Sequence, residues 1–523
     1  MSGGSRGYYS IGLFRSSLVA FAAGRVASAL AGFALFLLLA RTLPIADYGQ
    51  YLTLLATLEL VLLYASLGIP WIGIRFLPEF RIRATPGTLR TLVGRLALFN
   101  GLALAVALLA MWPTATWWTH WLKLDDAQTV IVPFLAICAA DGISRFATTV
   151  VLESLLAQRA AQAVQILRNA VFLIALGLAL LDGRTVGLRE VVMMETLAAT
   201  LAALAATVSA VVHLRRIPAA EQDPDWQAPD GRTMAAIAWY NYSGNAVANL
   251  YSHSTLQLLA NALLGPNISA LFGFARSLAD QVRRYLPSEF LLSVIRPMLV
   301  ASYSTDGDHR QLNRRMLLGA KFSLIVSAPV LGLLLGAGPA AVMLLGGARL
   351  QDTYWLVVAL LFVAFSRSHR SLLGLYVNCV QQTDIWLRAS LWCLCVLPLA
   401  LALIQVGWGA FALVAAMVAE EIICTASVLR QLSQRGLGYS VAIGGLAPVA
   451  VATLLCALAT GLAVHLMDGR MVVLAAALGC AAFVATLLAR TPFDGREQEL
   501  LNRVTGRTLF RGAAARANVP DVH

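Results

Sequence analysis

The sequence predicts an all-α polytopic membrane protein of about 14 transmembrane helices, two pseudo-repeated six-helix lobes followed by two C-terminal helices. Three observations carry this. The 523 residues are 59% hydrophobic and only 13% charged, with a mean hydropathy of +0.74; soluble domains sit near ~45–50% apolar and ~25% charged. Apolar runs of helix-spanning length recur along the whole chain, whereas alternating strands of the β-barrel kind do not. The basic residues between the runs are distributed unevenly, about 23 on one side against about six on the other.

In order, the runs fall at approximately 16–40, 48–69, 91–112, 129–151, 164–181, 190–212, 236–262, 268–297, 316–337, 353–378, 386–406, 408–428, 441–466 and 471–489. The first lacks a small-residue cleavage pattern behind a short apolar core, so it reads as a retained helix rather than a signal peptide. Spans one to six make an N-lobe over 16–212, behind a cytoplasmic N-terminus at 1–15. The loop between the third and fourth spans, Trp112–Gln128, holds Trp112, Trp117, Trp118 and Trp121, an interfacial aromatic belt. A linker at 213–235 contains Pro218, Pro224, Pro229 and several acids. Spans seven to twelve form a C-lobe over 236–428. Helices 13 and 14 occupy 441–489, and a basic tail runs over 490–523. With Arg75, Arg81, Arg83, Arg90, Arg215, Arg216 and the tail arginines on one side, both termini are expected in the cytoplasm. The net charge of +12 reflects this topology first and not a nucleic-acid partner. The seven cysteines are odd in number and lie in or near spans, which argues against a disulfide framework or metal site.

The halves read as a repeat. A shift of 221 residues places Leu43 on Leu264, Gly49 on Ala270, Tyr51 on Phe272 and Glu59 on Asp280. Charges recur by helix: Glu59 and Asp280 in spans two and eight; Asp141 with Arg145, and Arg367 with His369 and Arg370, in spans four and ten; Glu195, and Glu420 with Glu421, in spans six and twelve. A six-helix unit leaves both halves in the same orientation, with a solute site between them.

The chemistry lies in charges inside spans. Ile268–Val300 contains Arg276, Asp280, Arg283 and Arg284 at i, i+4, i+7, i+8, one helical face. A mid-membrane charge costs roughly 2.5–3.5 kcal/mol on insertion scales. A cationic face should therefore look into a watery cavity holding an anion. Alternatively, Arg283 and Arg284 mark the cytoplasmic end of a shorter helix, with Pro287 beyond; Arg276 and Asp280 lie inside on either reading. In span seven Asn241, Asn245, Asn249, His253, Gln257 and Asn261 recur every fourth residue, facing either a sugar-binding cavity or neighbouring helices. The same shift maps Asn241, Asn245, Asn249 and His253 onto the small-residue stripe Ala20, Gly24, Ser28, Gly32, which permits close packing, with Arg25 beside it.

Arg25, Arg145, Arg276, Arg283, Arg284, Arg367 and Arg370 are the candidate cavity cations for a diphosphate, since guanidinium forks match phosphate oxygens and stay charged when buried. Asn245, Asn249, His253 and Gln257 are candidate sugar contacts. Glu59, Asp141, Asp280 and Glu420 could balance the arginines or titrate during transport; Asp141–Arg145 and Arg276–Asp280 could also be i, i+4 pairs that only lower insertion cost. No phosphate-binding Gly-rich loop, metal spacing or catalytic constellation is present, so no cofactor, metal or enzyme activity is expected.

The run Ala40-Arg41-Thr42-Leu43-Pro44-Ile45-Ala46-Asp47-Tyr48-Gly49-Gln50-Tyr51 resembles the A-R-x-L-x-x-x-x-[FY]-G-x-Y opening of bacterial polysaccharide (O-antigen) flippases. So does Arg75-Phe76-Leu77-Pro78-Glu79-Phe80-Arg81. These belong to the multidrug/oligosaccharidyl-lipid/polysaccharide (MOP) exporter superfamily. The resemblance implies a MATE-like fold of two lobes in a V, flipping of undecaprenyl-diphosphate-linked oligosaccharide to the outer leaflet, and coupling to a proton, sodium or the membrane potential. It implies as partners the lipid bilayer, the lipid-linked glycan and polysaccharide polymerase or export machinery. A drug exporter of the same fold and a lipid II flippase are the alternatives. The first should be rich in acids, because like charge repels an organic cation.

Overall fold

The computed structural model describes residues 11–124, 127–218, 224, 226–284, 286, 288, 308–380, 382, 384–439, 444–467, 471–495, 497, 498 and 502, excepting the side chains of 11–23, 25, 26, 127 and 128. Among the described residues the chain is helical, with no strand, and 11 helices are long and apolar enough to cross a membrane. The helices separate into two compact units. One comprises Met1–Gly273 with Leu401–Leu413, the other Phe274–Ala400 with Val414–His523.

In the first unit, α1 (Ile11–Thr42) lies along α7 (Gln158–Leu181). Its small residues face that helix: a Cβ on Gly24 would meet Gln162 at 2.9 Å, and Asn169 donates to the Ser28 carbonyl at 2.9 Å. Then come α2 (Ile45–Ala65), α3 (Ile69–Arg83) and α4 (Pro86–Met111). The segment holding α3 reads as a basic loop in sequence but is a helix. Leu67 (φ 46) and Gly68 (φ 79) turn the chain sharply into it, and Phe76, Leu77 and Phe80 are buried in the unit's core. The short α5 (Ala115–Trp121) keeps Trp117 and Trp121 exposed. The fourth span is α6 (Ala127–Arg145), continued by a π-wound turn over Phe146–Glu153. The sixth, α8 (Leu188–Arg215), packs on both α6 and α7.

The linker is not merely a solvated connection. Trp226 is buried, donates to Glu79 at 3.0 Å and meets Phe80 edge-on at 4.9 Å, which fastens the linker to α3.

The expected seventh span is broken. α9 (Gly231–Leu250) stops at Tyr251, and Ser252 caps α10 (His253–Leu259) by accepting from the Thr255 amide. A π turn over Ala260–Leu264 follows, and Gly265 (φ +91) opens α11 (Pro266–Arg284). The rest of the expected eighth span, to 297, lies largely outside the described residues.

In the second unit, α12 (His309–Ala337), α13 (Pro339–Gly346) and α14 (Tyr354–Cys379) precede a kinked span. That span consists of α15 (Asp384–Trp392), a tight turn at Cys393–Cys395 and α16 (Val396–Gln405). Helices α17 (Ala410–Gln434), α18 (Leu446–Leu466) and α19 (Val472–Ala489) complete the fold. α12 and α18 approach through glycine: a Cβ on Gly336 would lie 2.4 Å from the Ala457 carbonyl. That is the small-residue contact by which membrane helices gain van der Waals packing when lipid offers no hydrophobic drive.

Candidate functional site

Spans two, four, five and six of the first unit hold one charge network. Arg145 grips Glu59 with two parallel bonds, 2.9 and 2.6 Å, and gives its Nε to Asp141 at 3.1 Å. Asp141 also takes Arg168 at 2.7 Å, and Arg168 reaches Glu195 at 3.1 Å. Tyr51 hydrogen-bonds Glu195 from α2. Asp141 and Glu195 are buried, while Arg145 and Glu59 stand at 44% and 50% exposure. The exposed pair floors a cavity of about 350 Å³ walled by Trp71, Ile74, Leu104 and Phe146. Three carboxylates face two guanidiniums, so the network is one negative charge in excess.

The second unit holds a tighter cluster. Arg367 donates to Glu420 at 2.9 Å and Glu421 at 3.0 Å; Arg370 meets Glu420 at 2.7 Å and Glu421 at 3.3 Å. Arg367, Glu420 and Glu421 are buried. The members come from α14 and α17, the expected tenth and twelfth spans.

On α11 itself, Arg276 pairs with Asp280 at 3.5 Å and Arg283 approaches the same carboxylate at 4.0 Å, with Arg284 exposed. Three arginines and one aspartate give the helix a net charge of +2. The side chain of Arg25 lies outside the described residues.

The amide stripe divides at the helix break. Asn241, Asn245 and Asn249 form a ladder along α9, each Nδ2 donating to the carbonyl four residues earlier at 2.8–2.9 Å. This leaves their amide oxygens on a partly exposed face. His253 sits at the start of α10. Gln257 is fully buried and gives its Nε2 to the Ser269 carbonyl (2.9 Å) and hydroxyl (2.7 Å). Asn261, also buried, bonds the Leu122 carbonyl. The upper stripe is therefore open and the lower one is packing.

Ser269 also bonds Thr53 at 3.1 Å, where α2 crosses α11. A Cβ on Gly49 would sit 1.9 Å from the Pro266 carbonyl and 3.0 Å from the amide of Ala270, the residue that the 221-residue shift equates with Gly49.

One member, Arg168, and the link that ties Glu195 to it were not foreseen from the sequence. Arg168 reads as a cytoplasmic cation, although it lies inside the fifth span; that position was the available signal. Glu195 is visible as an intramembrane acid, but nothing local ties it to Arg168.

No family model matches this chain, and no curated protein matches it either. Solved structures do. The lipid II flippase MurJ in an inward closed conformation has a TM-score of 0.59 at 10% identity, covering 94% of this chain and 100% of its own. An inward-facing multidrug resistance MATE family transporter of the MOP superfamily has a TM-score of 0.60 at 12% identity, covering 79% of this chain and 96% of its own. The MATE multidrug transporter DinF-BH in complex with R6G has 0.54 at 15%, covering 82% and 97%. The chain has the all-helical fold of these transporters, as the sequence predicted.

Proposed function

We propose that this protein is a flippase for undecaprenyl-diphosphate-linked oligosaccharide, moving it from the cytoplasmic to the periplasmic leaflet of a bacterial inner membrane by alternating access during surface-polysaccharide synthesis. The observation that carries the reading is the surplus of guanidinium on α11, where Arg276, Arg283 and Arg284 outnumber Asp280. A diphosphate is the ligand for which such donors are matched in charge and geometry. Arg145, Arg367 and Arg370 already hold carboxylates, so a phosphate would compete with Glu59, Glu420 and Glu421 for them, and Arg25 would complete the cationic set. Asn245, Asn249 and His253 would meet sugar hydroxyls, with Gln257 holding the break beneath them. The excess carboxylate of the first network makes Glu59 and Asp141 candidates for coupling to a proton or sodium, and Asp280 and Glu420 would do the same in the second.

The test is deletion of the gene, followed by assay of lipid-linked oligosaccharides and surface glycan. Intermediates held on the cytoplasmic leaflet support the flippase and name the cargo; Arg276→Ala and Arg283→Ala should then abolish export with the protein still in the membrane. Normal export by both variants refutes the cavity assignment. A lipid II flippase is the second reading, favoured by the 94% coverage of this chain by MurJ against 79% and 82% by the MATE transporters. Lipid II as the accumulating species would decide for it. Unchanged glycan with altered sensitivity to cationic drugs would instead point to an exporter.

A further inference from the structure

The second unit holds a polar pocket apart from its charge cluster. It has a volume of about 230 Å³ and lies where α12 packs on α14. Hydroxyls of Ser323 and Ser327 from α12, and of Ser366 and Ser368 from α14, line it together with the imidazole of His369. Among the described residues, neither ring nitrogen of His369 has a hydrogen-bond partner, although both are shielded from the surface. The ring is stacked on Tyr439, with centroids 6.0 Å apart, and Tyr439 meets Tyr376 edge-on at 5.0 Å.

The serines donate elsewhere. Ser323 accepts from the Ser288 amide at 2.9 Å and donates to the Gly319 carbonyl at 3.0 Å. Ser327 donates to the Leu324 carbonyl at 3.0 Å, and Ser368 bonds the Ser288 hydroxyl. Their oxygens retain lone pairs, yet none bonds the imidazole directly. A neutral imidazole has one donor and one acceptor to satisfy, and leaving both unmade is costly in a low-dielectric interior. A polar space of this size admits water, which bridges the ring to the hydroxyls.

Nearby charges are already matched. No charged side chain lines the pocket among the described residues. Arg367 and Arg370 of α14 are bound to Glu420 and Glu421 of α17, Lys321 of α12 is bound to Glu497, and Arg283 of α11 approaches Asp280. The phenols of Tyr376 and Tyr439 are the other titratable neighbours. His369 is thus the lining group whose charge changes near neutral pH. α12 also has a pivot at the pocket's edge. Pro329, two residues beyond Ser327, cannot donate to the Ile325 carbonyl. Past it, Gly332 presses the helix on α18, where a Cβ would lie 2.9 Å from the Thr453 carbonyl.

We propose that this pocket is a hydrated proton site, in which His369 takes a proton from solvent and thereby favours a parted α12–α14 contact. The imidazolium has two donors and no acceptor, which suits water bridged to serine oxygens, and its charge is attracted to the Tyr439 ring face. It also needs more water than the neutral ring, so the protonated state is the more open one. Closure returns the proton to solvent and leaves a neutral imidazole. An open conformation with about tenfold greater proton affinity would gain about tenfold in population on protonation. The inference adds a group to the coupling acids and holds for any cargo.

The experiment uses full-length protein with ¹⁵N-labelled histidine in nanodiscs. Imidazole nitrogen spectra are recorded between about pH 5 and 8, and His369→Gln identifies its signal among the seven histidines. Both His369 nitrogens should move to imidazolium positions as pH falls. Amide protection over 320–330 and 365–375, referred to the intrinsic exchange rate, should fall with the same midpoint and stay flat in His369→Gln. Should that variant fail to fold, Ser327→Leu, which fills the pocket and keeps the imidazole, should hold His369 neutral across the range. A His369 that stays neutral in the parent protein overturns the proposal. So does titration without loss of protection, or the same loss in His369→Gln. None of these outcomes touches the flippase reading, which is decided by the lipid-linked intermediates.

Discussion

Removing Arg367 should destabilise the second unit strongly. Its guanidinium is 6% exposed and bridges Glu420 and Glu421 at 2.9 and 3.0 Å. In Arg367→Leu those two carboxylates share Arg370 alone, at 2.7 and 3.3 Å. One negative charge is then left uncompensated among buried side chains. Deleting one partner of a buried pair costs about 3–5 kcal/mol, most of it the desolvation of the charge left behind. The double variant Arg367→Leu/Glu421→Leu removes that surplus and leaves a one-to-one pair of Arg370 with Glu420. It should regain at least about 2 kcal/mol of the loss, because a buried pair exchanged for apolar side chains is often neutral. Equilibrium unfolding in mixed micelles would measure both. A single variant as stable as the parent, or a double variant no better than the single one, would refute the charge accounting.

Gly49→Ala should lower stability by about 1–3 kcal/mol, the ordinary range for overpacking, since the added carbon would meet the Pro266 carbonyl, whereas Gly244→Ala, with nothing within 4 Å, should cost nothing measurable in the same melt. Trp226→Ala should release the linker from α3 and speed proteolysis between α8 and α9, because a buried indole and its bond to Glu79 are lost together; unchanged cleavage would mean the anchor lies elsewhere. The Thr233 side chain and amide hold the Asp230 carboxylate below its ordinary range, so the cap of α9 is intact above about pH 3.9 and fails only as pH falls through the lower folded value. The protection factor of the Thr233 amide, referred to the intrinsic exchange rate at each pH, should therefore fall only in that acidic window.

Where charge sits on a helical period, the sequence is easily read. The four charges of α11 share a face because 276, 280, 283 and 284 obey the helix repeat. What failed to show was tertiary. The amide stripe from Asn241 to Asn261 has unbroken four-residue spacing, yet the helix stops midway; the Ser252-x-x-Thr255 cap inside the apolar run was the local clue. α3 reads as a loop because its basic face dominates its composition, while its burial depends on Trp226 and the π-wound end of α6. Gln257 resembles its exposed neighbours on α9 in sequence, and only the crossing with α2 and α11 turns it inward.

Lys321 is 2% exposed in the middle of α12, its ammonium 2.6 Å from Glu497 and 5.4 Å from the Phe493 ring, beyond the final span. The pair is 176 residues apart. At a synthesis rate of about 5–20 residues per second, the lysine leaves the ribosome roughly 9–35 seconds before its carboxylate exists. Throughout that interval the ninth span has to be handled by the insertion machinery without the counter-charge it will have in the finished molecule. A chain released before Glu497 therefore carries the Lys321 ammonium without this pairing, and only synthesis of the segment beyond the final span supplies the counter-charge.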